Sequence, residues 1–180
     1  MRPLLSSLMS ACALIAVAVP ASTWAQAATN NGQSPAATVT PLSDSVTSDL
    51  PRHARPTHYT IEVTPNAQTL TFTGKVAINL HVFTAADGLT LHGNGLTVSS
   101  AHLVPQAGGA PIALQATADK DAQLLRFAAP SQFQPGIYRL DIVYAGVIGT
   151  QPSGLFALDY PDKRTGKTVR GLFTQFEAPD

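Results

Sequence analysis

The sequence predicts an all-β protein: a two-layer antiparallel β-sandwich, preceded by a signal peptide and a flexible leader. Three observations carry this reading. From Thr69 to Phe83 the apolar residues Leu70, Phe72, Val76, Ile78, Leu80 and Val82 fall on every second position, which is the period of a half-buried strand. Elsewhere, short apolar runs are divided by Gly, Pro, Asn and Asp, with 14 Pro and 13 Gly scattered without a repeat, the punctuation of an all-β chain. No window shows a helical period.

The 180 residues begin with Arg2, an apolar run from Leu4 to Val19, Pro20, and small residues at Ala25 and Ala27. That is the three-part form of a secretory signal peptide, read over residues 1–25. A membrane span is the alternative, but the run is short and interrupted by Ser6, Ser7 and Ser10. Cys12, the only cysteine, faintly suggests a lipidation box, yet the apolar run continues beyond it. Cleavage after Ala25 removes it, leaving neither disulfide nor thiol chemistry. Residues 26–49 are rich in Ala, Thr, Ser, Asn and Pro. They offer too little apolar surface to offset ordering, so a flexible leader is expected.

The sandwich is expected over residues 50–180. Tyr59, Ile61 and Val63 alternate with polar residues in a first strand. Pro65-Asn66 turns into the long strand at 69–83, which is expected to bend or bulge at Gly74. Ala85-Ala86-Asp87-Gly88 reads as a turn, and Leu89 and Leu91, then Leu96 and Val98, as short strands around Gly93-Asn94-Gly95. Leu103-Val104, Ile112 with Leu114, and Leu124 to Phe127 read as further strands. Gln106 to Ala110 and Ala118 to Ala122 read as turns. After Pro135-Gly136, Tyr138, Leu140, Ile142 and Tyr144 share one face of a second strong strand. A loop from Gly146 to Gly154 follows. Leu155 to Tyr160 and Val169 to Phe176 close the chain as strands on either side of a polar tip.

Charged residues make up 12% of the chain and the formal net charge is zero. A nucleic-acid surface, which needs clustered Lys and Arg, is not expected. The five His are His53, His58, His81, His92 and His102. None forms a His-Glu-x-x-His motif, and no nucleophile elbow, phosphate loop or calcium loop occurs. His58, His81 and His92 fall at polar-side or strand-end positions of expected strands. At the end of the chain, Leu172 to Phe176 runs straight into Glu177. Residue by residue, Glu177 is either a solvated strand-end acid or a carboxylate displayed at a sheet edge, able to hold an ammonium group.

Several pieces occur together and in order. They are Leu50-Pro51, Pro56-x-x-Tyr59, Phe72-x-Gly74-x-Val76-x-Ile78-x-Leu80, Leu91-His92, Gly136-x-Tyr138-x-Leu140, Tyr144-x-Gly146, Gly154-Leu155-Phe156 and Thr174-Gln175-Phe176-Glu177. Each is weak alone. In this order over most of residues 50–180 they resemble the amino-terminal domain of the aminopeptidase N family of zinc metallopeptidases.

The resemblance implies a β-sandwich that packs on a thermolysin-like catalytic domain. It implies that Glu177 binds the free α-amine of a peptide and that Gln175 lines the pocket for the first side chain. The family's Gly-x-Met-Glu-Asn segment, its His-Glu-x-x-His zinc motif with a distant third glutamate, and its catalytic tyrosine have no counterpart in these residues. The implied zinc therefore belongs to the full-length family enzyme, and no cofactor is expected in this chain. Its expected partners are a missing or separate catalytic domain and the amino terminus of a peptide. It is expected to be exported, periplasmic or secreted, without a stable membrane span after signal cleavage, and inactive alone. A secreted sandwich serving as a binding or adhesion module is the alternative.

Overall fold

A computed structural model describes residues 38–176. The expected signal peptide at 1–25, residues 26–37 of the leader, and Glu177 lie outside the described residues. Residues 38–53 carry no regular secondary structure. Arg52 anchors this approach by donating to the carbonyls of Ser43 and Val46, and Arg55 donates to the carbonyl of Thr40 at 3.1 Å.

Ten strands and no helix follow among the described residues: β1 (Ala54–Asn66), β2 (Thr71–Val82), β3 (Ala86–His92), β4 (Thr97–Pro105), β5 (Ile112–Ala113), β6 (Gln115–Asp119), β7 (Leu124–Phe133), β8 (Gly136–Val147), β9 (Gly154–Pro161) and β10 (Thr168–Gln175). Every strand pairing is antiparallel. One sheet has five strands in the order β1-β2-β8-β4-β5, a second has three in the order β3-β7-β6, and β9 and β10 form a hairpin.

The two larger sheets meet in one apolar cluster, the arrangement of a β-sandwich. The five-stranded sheet contributes Ile78, Leu80, Ala101, Leu103, Tyr138, Leu140 and Ile142; the three-stranded sheet contributes Leu89, Leu125, Phe127 and Phe133. Leu103 and Leu140 are fully shielded from water. The period of two is the cause. Residues of β2 and β8 with even numbers pair across the ladder, Ile78 with Leu140 and Val76 with Ile142, so both strands turn the same face inward.

The structure corrects several expectations. Gly74 is not a bulge: it stays in register with Val63 on one side and Tyr144 on the other. A Cβ there would lie 2.5 Å from Cζ of Tyr144, so the glycine makes room for that ring. Gly146 plays the same part for Phe72, and the Phe72 and Tyr144 rings meet edge-on, 6.2 Å apart at 82°. Ala86 to Gly88, expected in a turn, open β3, with a register shift between Ala86 and Gly88. Ala118 and Asp119, also expected in a turn, belong to β6, where pairing with β7 satisfies their backbone. The two short strands expected at 96–98 and 103–104 are one strand, β4, interrupted by a register shift between Val98 and Ser100. Val147, expected in the loop that follows β8, is still in the strand.

Candidate functional site

The end of β10 is positioned by the hairpin register. Gln175 lies opposite Gly154, the first residue of β9. Gly154 has φ +61° with open space where a Cβ would be, the left-handed backbone that glycine adopts without strain. The segment between β8 and β9 is pinned beneath it. Ile148 is buried and its N–H donates to the carbonyl of Leu70 at 2.8 Å. Gly149 N–H donates to Leu155 at 2.9 Å and Ala157 N–H donates back to Gly149 at 2.8 Å.

These contacts shape a cleft of about 640 Å³ beside Gln175. Phe72, Leu96, Val147, Leu155 and Phe176 supply its apolar wall, and Asn94, Ser153 and Gln175 its polar side chains. No lining residue is charged. The Gln175 amide carries both donors and an acceptor. The cleft therefore presents an apolar wall beside neutral polar side chains. A carboxylate for a charged amine would have to come from Glu177, two residues past Gln175, which lies outside the described residues.

The hairpin that carries Gln175 is tied to the rest by Arg170. Its guanidinium forks onto Asp159, Nε to Oδ1 at 2.6 Å and Nη2 to Oδ2 at 2.7 Å, and its Nη1 donates to the Ala67 carbonyl at 3.0 Å. The Arg170 hydrogen bond holds the Asp159 carboxyl below the usual carboxylate range. At the other flank, burial raises the Tyr144 hydroxyl above its ordinary value.

The histidines do not converge. His53 Nε2 lies 3.0 Å from the Gly88 carbonyl, His81 stands beside the Phe83 ring, and His58 and His92 are exposed. Among the described residues no three His, Cys, Asp or Glu side chains gather as a metal requires. The described residues do not make a zinc site.

Comparison with known proteins settles the lineage. The family described as Peptidase M1 N-terminal domain matches residues 55–180. The chain belongs to this family. It is 31% identical over 130 residues to the puromycin-sensitive aminopeptidase of Caenorhabditis elegans, covering 72% of this chain and 14% of that protein. It is 30% identical over 131 residues to aminopeptidase N of Acetobacter pasteurianus, covering 73% and 35%. It is 30% identical over 136 residues to aminopeptidase 2, mitochondrial, of Saccharomyces cerevisiae, covering 73% and 14%. The chain thus spans well under half the length of these relatives.

Within this M1 amino-terminal domain, the structure brings Gln175 to the mouth of a cleft. Asn94 and Ser153, which share it, are not singled out by the sequence reading. Asn94 lies in a Gly-Asn-Gly turn and Ser153 in a Pro-Ser-Gly turn, two signals that announce a turn and nothing about what it faces. No helix among the described residues is long and apolar enough to cross a membrane.

Proposed function

We propose that this chain is the amino-terminal domain of an exported zinc aminopeptidase. It supplies the acid that holds the substrate's α-amine, while the reacting groups reside in a separate catalytic domain. The observation that carries the reading is the position of Gln175, at the end of an anchored strand and on the lip of a cleft lined by apolar side chains and neutral polar groups. Glu177 follows two residues later in the same family match. A carboxylate fixed there attracts an ammonium group by charge and hydrogen bonding, which confines the substrate to a free amino terminus. In this reading the domain is inactive by itself, because hydrolysis relies on the metal-bound water of the catalytic domain.

The catalytic domain would dock on the hairpin and the strand end beside it. Leu158, Tyr160, Phe173, Phe176 and Val147 leave large apolar surfaces exposed there, Phe176 at 76% and Val147 at 73%. One face of this hairpin also favours a second reading, a binding module. Tyr160 and Phe173 flank Gly171 and are about half exposed, as a ligand-stacking surface would be. Binding of neutral glycans, lost on Phe173→Ala, would favour that reading.

The proposed function is tested by NMR titration of the purified chain with leucinamide and with its N-acetyl derivative. Leucinamide should shift resonances around Gln175 and Gly154, the acetylated compound should not, and Glu177→Gln should abolish the shifts. Equal shifts from both compounds would refute amine recognition. Zinc-dependent release of an amino-acid anilide by the chain alone would refute its inactivity.

A further inference from the structure

Among the described residues, β1 is the outermost strand of the five-stranded sheet and pairs only with β2. From Arg55 to Asn66 each of its residues is exposed, although one of its faces is apolar. Tyr59, Ile61 and Val63 lie opposite Ile78, Val76 and Gly74 of β2, whose inward face builds the core. Ile78 is 3% exposed, but Tyr59, Ile61 and Val63 are 48%, 60% and 43% exposed. The covering sheet has three strands against five, and of β1 only Ala54 packs on the core cluster among the described residues. A groove of about 320 Å³ remains, bounded by Tyr59, Ile61, Val76, Leu96, Ile142 and Tyr144.

Edge strands are usually protected by a lysine, a proline, a bulge or shortness. In β1 the prolines Pro56 and Pro65 and the register shift at Pro56/His58 sit near the ends, and from His58 to Thr64 there is no lysine, no proline and no register shift. The segment is also self-complementary. Rotating a second copy about an axis perpendicular to the sheet and midway between the two Thr60 residues places Tyr59 opposite Ile61 on the apolar face and His58 opposite Glu62 on the polar face. Such an axis preserves which face points inward, so only registers shifted by two residues compete. Those shifted by two place His58 or Glu62 opposite Thr60 or Thr64. The Thr60 register alone sets an imidazole opposite a carboxylate while matching aromatic to β-branched side chains. Glu62 already faces Lys75 of β2, so in this register it lies between Lys75 and the second copy's His58.

We propose that β1 pairs with β1 of a second copy in antiparallel register centred on Thr60, a two-fold interface that makes one continuous sheet and packs Tyr59 of each copy beside Ile61 of the other. This surface is separate from the cleft at Gln175 and does not depend on the proposed peptide site.

Sedimentation equilibrium of the purified chain at mildly acidic pH, from micromolar to millimolar concentration, tests the proposal. The chain should form a dimer and no larger species. Ile61→Lys, at an exposed position, should weaken dimerisation by about tenfold or more by placing a charge on the joined apolar face. His58→Glu sets carboxylates face to face at both ends of the interface and should weaken it by about tenfold. Adding Glu62→His to that variant again sets a histidine opposite a glutamate and should return the affinity to within about threefold of the original. Unchanged circular dichroism melts identify variants that still fold. A monomer at every concentration overturns the proposal. So does a dimer indifferent to these substitutions, or one in which the second charge change brings no recovery.

Discussion

Replacing Gly74 by alanine tests whether the two aromatic rings, rather than a backbone bend, account for this glycine. In a strand interior, alanine is ordinarily more stable than glycine by about 0.5–1 kcal/mol, because glycine loses more backbone freedom on folding. Here the new methyl would lie 2.5 Å from Cζ, 2.7 Å from Oη and 2.8 Å from Cε2 of Tyr144. Carbon atoms rest about 3.5–4.0 Å apart, so the ring must retreat by roughly 1 Å. Overpacking of this kind costs about 1–3 kcal/mol, and displacing the ring from its edge-on contact with Phe72 forfeits part of a further 0.5–1.5 kcal/mol or so. The crowding term wins, and Gly74→Ala should destabilise the chain by about 1–2 kcal/mol. In a Tyr144→Val background the overlap is gone, and the same substitution should stabilise by about 0.5–1 kcal/mol. Urea unfolding of the four proteins, followed by far-ultraviolet circular dichroism, measures the coupling directly. Gly74→Ala shifting stability equally in both backgrounds would refute the reasoning, as would a gain in the unsubstituted chain.

Other outcomes follow from the same structure. Leu140→Ala, at a fully buried position where β8 meets the opposite sheet, should cost about 2–5 kcal/mol in the same assay; a loss below 1 kcal/mol would mean that the site collapses freely or that the layers are not packed there. Asp159 has its folded pKa depressed by Arg170. Its contribution to stability is therefore present above the ordinary carboxylate range and is lost as pH falls through the depressed folded value. Asp159→Asn should make stability fall less steeply with acid in that window, and an unchanged slope would show that the pair is not maintained in solution. Expressed in a bacterium with its own amino terminus, the chain should be recovered outside the cytoplasm beginning at Gln26 or Ala28. Intact-mass measurement of a retained Met1 in an exported product would count against the signal peptide.

The local alternation of Tyr59, Ile61 and Val63, of Phe72 through Val82, and of Tyr138 through Tyr144 is enough to say strand, and which face is apolar, because a pleated backbone projects successive side chains to opposite sides wherever it pairs. The same order of residues carries the family resemblance, with Gln175 among its pieces. The pairing itself is not local. That β2 lies against β8, some sixty residues later, and that Thr97 to Pro105 is one strand rather than two, depend on register and hydrogen bonding between distant segments, which no short window of residues expresses. The purpose of Gly74 is likewise invisible without Tyr144 opposite it. The tertiary structure alone shows that Asn94 and Ser153 share a cleft with Gln175. It alone shows that the apolar face of β1 lies open, because the width of the covering sheet, not the polarity of the strand, sets how far burial extends.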